Sequence, residues 1–534
     1  MPSFRQQATT TGRYGEKGWV PPGSESVASM RLILTAYLGD LLRSREQGGY
    51  SAHKERLTEV WEKAQEESDS LIVPMKPVMT VEGRGGHTSR LRGRNISHTG
   101  GGEQMGNAYE KIAQQAARHE KVQTIMHYVN KANLKEEHRR QARSKAAGVD
   151  GASKESYGEE LDKNLDDLIE RMKRFSYKPQ PVRRTYIPKA GSDKMRPLGI
   201  PSYEDKLVQG VMRRILDEIY RGKFYDFSYG FREGKNCHQA VSEVQQIIGT
   251  KKVNFVVDAD IKGFFDNVDH EWLMKFLEHD IEDKNFLRYI KRFLIAGIME
   301  GTMYHESDKG TPQGGLISPV LANVYLHYVL DIWFDKMIKG KYKGEAYIVR
   351  YADDFVCMFQ YEDEANAFYK SLKERLAKFG LEIAEDKSKV IRFGRFARQN
   401  SADGKTDTFD FLGFTHINGT TRTGKYRVVH RTSKKKLAAK KQTVKEWLRQ
   451  NMHGKPSDTI ELLNKKLIGH YRYYGISGNS EGITKFYNFI VATFYKMLKR
   501  RSQRTDLTWE KYFNLLKKHP IATPKIYVNI WQTA

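Results

Sequence analysis

Apolar residues recur in two rhythms along this chain, and the change of rhythm divides it. Residues 1–105 keep neither rhythm for long. Residues 29–64 have the period of two short helices, and 82–106 (EGRGGHTSRLRGRNISHTGGGEQMG) is rich in Gly, Arg and Ser, the composition of a linker or disordered segment. From 108 to about 178 the helical period dominates, broken at 147–153 (AGVDGAS) by turn residues. Residues 183–201 (RRTYIPKAGSDKMRPLGIP) place two β-prone pieces around a Gly-Ser-Asp turn, which predicts a hairpin. The helix at 204–220 aligns Leu207, Val211, Ile215 and Ile219 on one face.

Further on, strands and helices alternate. VNFVVDADI (253–261) predicts a buried strand, followed by a helix at 271–279 and a long one at 316–336. Residues 347–360 read as two apolar strands interrupted by Asp353 and Asp354. Residues 362–379 are helical and 410–416 strand-like. From 433 onward three or more basic helices follow, broken at Gly454-Lys455-Pro456 and at 475–482. Mixed elements followed by helices alone predict an α+β fold with a helical C-terminal domain. The divisions fall at 1–105 (an N-terminal extension, partly disordered), 106–182 (helical), 183–420 (α+β body) and 421–534 (basic helices).

Composition changes this picture in two ways. The chain has 534 residues with 90 Lys and Arg against 65 Asp and Glu, a formal charge of +25. Residues 431–534 hold 22 basic and 6 acidic residues, so +16 of that charge sits in the last fifth. Such an excess favours a polyanionic partner, whose released counterions drive binding. The two cysteines, Cys237 and Cys357, form no CxxC and can make neither a disulfide framework nor a zinc site alone. No signal-peptide core opens the chain and no apolar run approaches the length of a bilayer span. These features predict a soluble protein of a reducing compartment, with no membrane partner.

The candidate chemistry lies in carboxylates placed among apolar residues. Asp353 and Asp354 interrupt an apolar hairpin (YIVRYADDFVCMF), where an unpaired buried charge is expensive. Asp260 ends the strand VVDADI. Three carboxylates at strand ends suit hard divalent cations, which take oxygen ligands. Two such ions can clamp the attacking and leaving oxygens of a phosphoryl transfer. Asp258 shares the strand face of Asp260 and Asp266 lies close by, so pattern alone does not choose among them. Asp269 has the position of a helix cap. Gly310-Thr311-Pro312-Gln313-Gly314-Gly315, entering a helix, lets a base or sugar approach the backbone closely.

Taken in order, these blocks resemble the reverse transcriptase palm, in the group II intron-encoded reverse transcriptase and maturase class. RRTYIPKAGSDKMRPLGIP, FSYGFREGKNCHQAV, GLEIAEDKSK and FDFLGF extend the resemblance from about Val122 to the C-terminus. It implies a right-hand polymerase: a helical N-terminal part of the fingers at 106–182, fingers and palm at 183–420, and a helical thumb or maturase domain at 421–534. It implies two Mg2+ ions on Asp260, Asp353 and Asp354, choosing Asp260 over Asp258. Lys189, Arg196 and Lys387 then match residues at the dNTP triphosphate, and Phe265 the side chain beneath the sugar. Gln313 and Gly314 match the loop at the nascent base pair, and Phe411-Leu412-Gly413 resembles the primer grip. Lys434, Lys435, Lys436, Lys440 and Lys441 are the candidate phosphate contacts. The implied partners are group II intron RNA, an RNA template with a DNA primer, and dNTPs.

The implied function is RNA-directed DNA synthesis with splicing assistance and target-primed retromobility, in the bacterial cytoplasm. No cysteine follows Cys357, so the expected form is the one without a zinc-stabilised HNH endonuclease domain. Two other readings stand beside it: a splicing cofactor with idle polymerase chemistry, and a host-domesticated reverse transcriptase in defence or repair. The intact acids at 260, 353 and 354 favour the polymerase.

Overall fold

β-Branched and aromatic residues in alternation build three separate sheets, and amphipathic helices cover them. The computed structural model describes residues 102–118, 121–188, 195–397, 406–501 and 507–531, with side chains from Tyr109 onward. In chain order, α1 (Gly102–Ala117), α2 (Lys131–Arg140), α3 (Lys154–Glu159) and α4 (Leu161–Lys173) lead into β1 (Val182–Pro188) and β2 (Met195–Ile200). Then come α5 (Tyr203–Arg221), α6 (Cys237–Thr250), β3 (Phe255–Ala259), α7 (Phe264–Asn267), α8 (His270–Asp280), α9 (Lys284–Leu294), β4 (Ile298–Glu300) and β5 (Met303–His305). The next stretch is α10 (Ser318–Leu326), β6 (Ala346–Tyr351), β7 (Asp354–Phe359), α11 (Glu362–Lys378) and β8 (Lys389–Arg392). It ends with β9 (Thr408–Phe411), β10 (Phe414–Thr420), β11 (Tyr426–Thr432), α12 (Lys434–Gln450), α13 (Pro456–Tyr474), α14 (Ser480–Lys499) and α15 (Trp509–Lys518).

The α+β expectation holds, with a helical C-terminal part. Several local expectations are sharpened. α1 begins at Gly102, inside the stretch read as a linker, because helix formers replace the glycine run there. The helices expected at 29–64 lie outside the described residues. The hairpin at 183–201 forms with Ile187 opposite Arg196. The Asp269 side chain caps α8 by accepting from the Trp272 N–H at 2.9 Å. The expected strand at 410–416 is a hairpin instead: Leu412 and Gly413 both take left-handed φ (49° and 78°) and turn β9 into β10.

Three sheets result, ordered β2-β1-β4-β5, β6-β7-β3-β8 and β11-β10-β9. The second carries the central acids. Its β3 runs antiparallel between β7 and β8, with Asp258 facing Val356 on one side and Lys389 on the other. Beneath it, α10 continues through two π turns, His327–Asp331 and Phe334–Ile338. The buried Arg375 of α11 donates to the Val329 and Tyr328 carbonyls of the first turn, at 3.0 and 3.3 Å. Among the described residues no helix is long and apolar enough to cross a membrane.

The C-terminal helices have their own core, with Leu463, Leu467 and Tyr471 of α13 against Phe486, Ile490 and Phe494 of α14 and Tyr512 of α15. Tyr471 is therefore packing and not a free stacking surface. A smaller cluster of Val241, Phe414, Ile476 and Ile530 joins this part to α6 and β10. At the joint, the fully buried Asn479 accepts from the Thr432 N–H (2.9 Å) and donates to Thr432 Oγ1 and the Tyr474 carbonyl (both 2.8 Å).

Removing that amide leaves buried donors and acceptors of β11 and α13 unmatched. Asn479→Ala should lower stability by roughly 2–4 kcal/mol. Urea unfolding followed by tyrosine and tryptophan fluorescence measures it; a midpoint equal to wild type would mean that apolar contact alone holds the joint.

Candidate active site

The Tyr351-Ala352-Asp353-Asp354 segment is the β6–β7 turn, with Tyr351 paired to Asp354. Ala352 takes the left-handed conformation (φ 57°), unusual for a residue with a Cβ. Such a turn persists only when its surroundings over-determine it. Gly230 lies so close that a Cβ there would overlap the Ala352 backbone nitrogen. From below, Arg350 Nη1 donates to the Ala352 carbonyl at 3.0 Å and to Asn323 Oδ1 at 2.9 Å. Its other edge forks onto Asp331, with Nε to Oδ1 at 2.7 Å. Arg350 and Asp331 are both completely buried. Burial opposes the Asp331 charge, yet Arg350 holds its carboxyl below the ordinary value.

The β3–β7 ladder ends with Ala259 opposite Phe355. Asp260 is the residue just past the end of β3, and Asp354 is the first residue of β7. The backbone of Asp260 is fixed by the segment before β8. The Ala384 N–H donates to its carbonyl (2.8 Å), its own N–H donates to Ser388 Oγ (3.0 Å), and Ser388 Oγ donates to the Ala384 carbonyl (2.9 Å). Lys387 Nζ lies 2.6 Å from Asp260 Oδ2, and this hydrogen bond raises the lysine pKa.

The acids repel one another. Burial raises the Asp353 pKa, with Asp260 adding to the rise. Desolvation first, then the charges of Asp353 and Asp260, push Asp354 up to about 6, although its side chain is open to solvent. Asp258, half-buried, is pushed up to about 7 by burial and by Asp354, Asp410 and Asp260. Arg196 and Lys436 pull Asp354 back down, which brings β2 and the first turn of α12 within Coulombic reach of the acids. The donor set is all oxygen and its own repulsion favours a cation. Among the described residues, however, no three His, Cys, Asp or Glu side chains converge as a ready-made metal cage.

The remaining candidates surround this turn unequally. Phe265 is partly buried with its ring edge-on to Phe264, and its carbonyl accepts from the Thr311 N–H at 2.7 Å. The Gln313 carbonyl accepts from the Gly199 N–H of β2 at 2.6 Å. Gly314 is exposed at φ 117°, where a Cβ would collide with the Gly199 carbonyl. Lys189 lies outside the described residues. In α12, Lys434, Lys435 and Lys436 are exposed, whereas Lys440 and Lys441 are partly covered. Burial lowers the Lys440 pKa, and Lys441 Nζ sits 5.1 Å from the Phe489 ring centre. Tyr473 OH donates to the Leu412 carbonyl at 3.0 Å, tying α13 to the β9–β10 turn.

Sequence reasoning missed Arg350, Asp331, Asn323, Gly230 and Ser388. Charged residues inside apolar elements were the available signal for the first two: Arg350 in AYIVRY and Asp331 in an apolar helix. Nothing in the pattern marks the others.

Two family models match parts of this chain. Residues 187–416 match the family model described as Reverse transcriptase (RNA-dependent DNA polymerase). Residues 437–513 match the one described as Group II intron, maturase-specific domain. The chain is 36% identical over 246 residues to the Group II intron-encoded protein LtrA of Lactococcus lactis subsp. cremoris, covering 44% of this chain and 41% of that protein. It is 29% identical over 315 residues to Protein YkfC of Escherichia coli (53% and 78% of the two chains). It is 38% identical over 183 residues to the Putative COX1/OXI3 intron 1 protein of Saccharomyces cerevisiae (34% and 22%). The chain thus spans about two-fifths of the length of the Lactococcus protein.

Breaking the buried pair under the turn should be severe. Asp331→Ala strands the Arg350 guanidinium in an apolar core, which costs about 3–5 kcal/mol. Chemical denaturation of the purified variant reads this directly; a loss below about 1 kcal/mol would show that Asn323 and the Ala352 carbonyl suffice.

Proposed function

We infer that this chain, which belongs to the group II intron-encoded reverse transcriptase and maturase family, is an RNA-directed DNA polymerase that binds group II intron RNA. In this reading it assists splicing and supports retromobility by target-primed cDNA synthesis. Residues 183–420 serve as fingers and palm, and 421–534 as thumb. The observation that supports the polymerase most is the closeness of Asp260, just past the end of β3, to Asp353 and Asp354 on a turn braced by a buried ion pair.

Asp260, Asp353 and Asp354 would hold two Mg2+ ions, because mutual repulsion among them is relieved only by protons or cations. When bound, the ions activate the primer 3′-hydroxyl and neutralise the leaving pyrophosphate. The chain's own residues do the rest. Arg196 and Lys189 at the β1–β2 hairpin grip the triphosphate, and Lys387 adds charge on the β8 side. Phe265 lies beneath the sugar, where its ring leaves no room for a 2′-hydroxyl. Gln313 and Gly314, hung on β2, line the nascent base pair. The β9–β10 turn supports the primer end. Lys434, Lys435 and Lys436, with Lys440 and Lys441 behind them, contact phosphates of the intron RNA. They position without reading sequence.

Asp353→Ala and Asp260→Ala should each abolish primer extension on an RNA template while leaving intron RNA affinity within about twofold, since phosphate contacts supply that affinity. Added Mg2+ should raise the melting temperature of wild type and not of Asp353→Ala. Extension at the wild-type rate in either variant would sink the assignment, and a wild-type chain that binds intron RNA without extending a primer would point to a splicing cofactor instead.

Phe265→Ala should admit ribonucleotides. The ratio of rNTP to dNTP incorporation should rise by roughly 10-fold or more, since one steric contact is worth about 1–3 kcal/mol. An unchanged ratio would leave Phe265 as a core aromatic only.

A further inference from the structure

β11 alternates strictly. Val428, His430 and Thr432 are buried, so Arg427, Val429 and Arg431 face the other way. On that side, the turn after α13 and the segment leading to Trp531 close a recess of about 520 Å3. That size suits one small flat ligand with its substituents. Its walls include Arg427, Arg431, Ser477, Ile526, Asn529 and Trp531, none of which belongs to the candidate active site.

The chemistry of those walls is specific. The Arg427 guanidinium lies 4.8 Å from the Trp531 ring centre, and its Nε is buried without a hydrogen-bond partner. Trp531 remains 42% exposed, so its ring is open to a ligand. Asn529 Oδ1 accepts from both Ser477 Oγ (2.7 Å) and the Trp531 N–H (3.1 Å). Its oxygen is thereby used, and its NH2 is the group left to meet a ligand. Glu481, also at the recess, is already neutralised by Arg431 and Lys485. A π surface, a stacked guanidinium with a spare donor, and neutral donors at the rim are the elements that hold an unpaired base, its phosphate and its sugar hydroxyl.

We propose that this recess binds a single unpaired nucleotide of an RNA strand. The base stacks on Trp531 beside Ile526, the phosphate meets Arg427 and Arg431, and the 2′-hydroxyl meets Asn529. The proposal rests on the RNA-binding half of the functional reading and not on polymerase chemistry. It adds a second RNA contact, apart from the lysines of α12.

The test uses the full chain and a short, unstructured A-rich RNA carrying one 4-thiouridine, with a DNA of matching sequence as the comparison. Long-wave ultraviolet crosslinking followed by peptide mapping should yield adducts within residues 526–531. Trp531→Ala should weaken RNA binding roughly 5- to 100-fold, the effect of losing one base stack. Trp531→Phe should retain most of the affinity, and the DNA should lose less. Arg427→Gln with Arg431→Gln should flatten the salt dependence by about 0.7 per lost phosphate contact. Melting curves accompany each variant, and the combined Arg427→Gln and Arg431→Gln variant carries the test if Trp531→Ala does not fold. Absence of adducts in 526–531, wild-type affinity in folded variants, or equal losses on DNA and RNA each overturn the proposal. A wild-type chain that binds intron RNA while the recess variants behave as wild type sinks this site alone. A wild-type chain that binds no RNA sinks the functional reading with it.

Discussion

One guanidinium organises the centre of this molecule. Arg350 sits at zero exposure in a largely apolar strand, and its hydrogen bonds serve one purpose. Asp331 neutralises it, Asn323 orients it, and it in turn holds the carbonyl of Ala352 in a left-handed turn. A buried ion pair is rarely a net source of stability, because desolvation offsets most of the attraction. Its value here is geometric. A planar fork with fixed donor directions locks the turn that presents Asp353 and Asp354, and a hydrophobic residue of equal volume could not. The long helix of α10 and its π continuation is required to deliver both Asn323 and Asp331 to the same guanidinium, and Arg375 satisfies the carbonyls that the π turn loosens.

The opposite wall of the site uses a different device. Asp260 lies just past the end of β3, where strand pairing no longer fixes it. The backbone bonds from Ala384 and Ser388 take over at that point. Asp353 and Asp354 thus have raised pKa values, first through burial and then through the charge of neighbouring acids, Asp260 among them. Lys387 on one flank and Arg196 and Lys436 on the others supply part of the compensating charge. Three segments far apart in the chain therefore converge on one electrostatic problem.

The helical C-terminal part is attached by polar bonds that only a folded neighbour can offer. Asn479 reaches β11, and Tyr473 reaches the β9–β10 turn. Because Lys436 lies in the first turn of the first of these helices, the attachment also decides how close the most basic part of the chain comes to the acids. The family's two halves, matched separately along the sequence, are joined through this small set of contacts.

Much of the site could be read from the chain itself. Asp353 and Asp354 stand out because two acids in an apolar hairpin need a reason, and Asp260 because it ends a buried strand. The hairpin at β1–β2, the apolar face of α5 and the Asp269 cap follow from local period and capping chemistry, which depend on neighbours within a few residues. The charge of the last fifth of the chain needs no structure to count. Other features were invisible for an equally physical reason. Resemblance alone picked Asp260 over Asp258, since pattern puts both on one strand face, and the pairing of Asp258 with Val356 joins two strands about 100 residues apart. The start of α1 within a Gly-rich stretch, and the turn at Leu412-Gly413, depend on a few dihedral angles that composition averages away. The brace of Arg350, Asp331, Asn323 and Gly230 draws on three separate parts of the chain: β6, α10 with its π continuation, and the loop before α6. No period or motif encodes a hydrogen bond between residues that meet only when the core closes; burial makes each such bond necessary, and packing alone selects its partners.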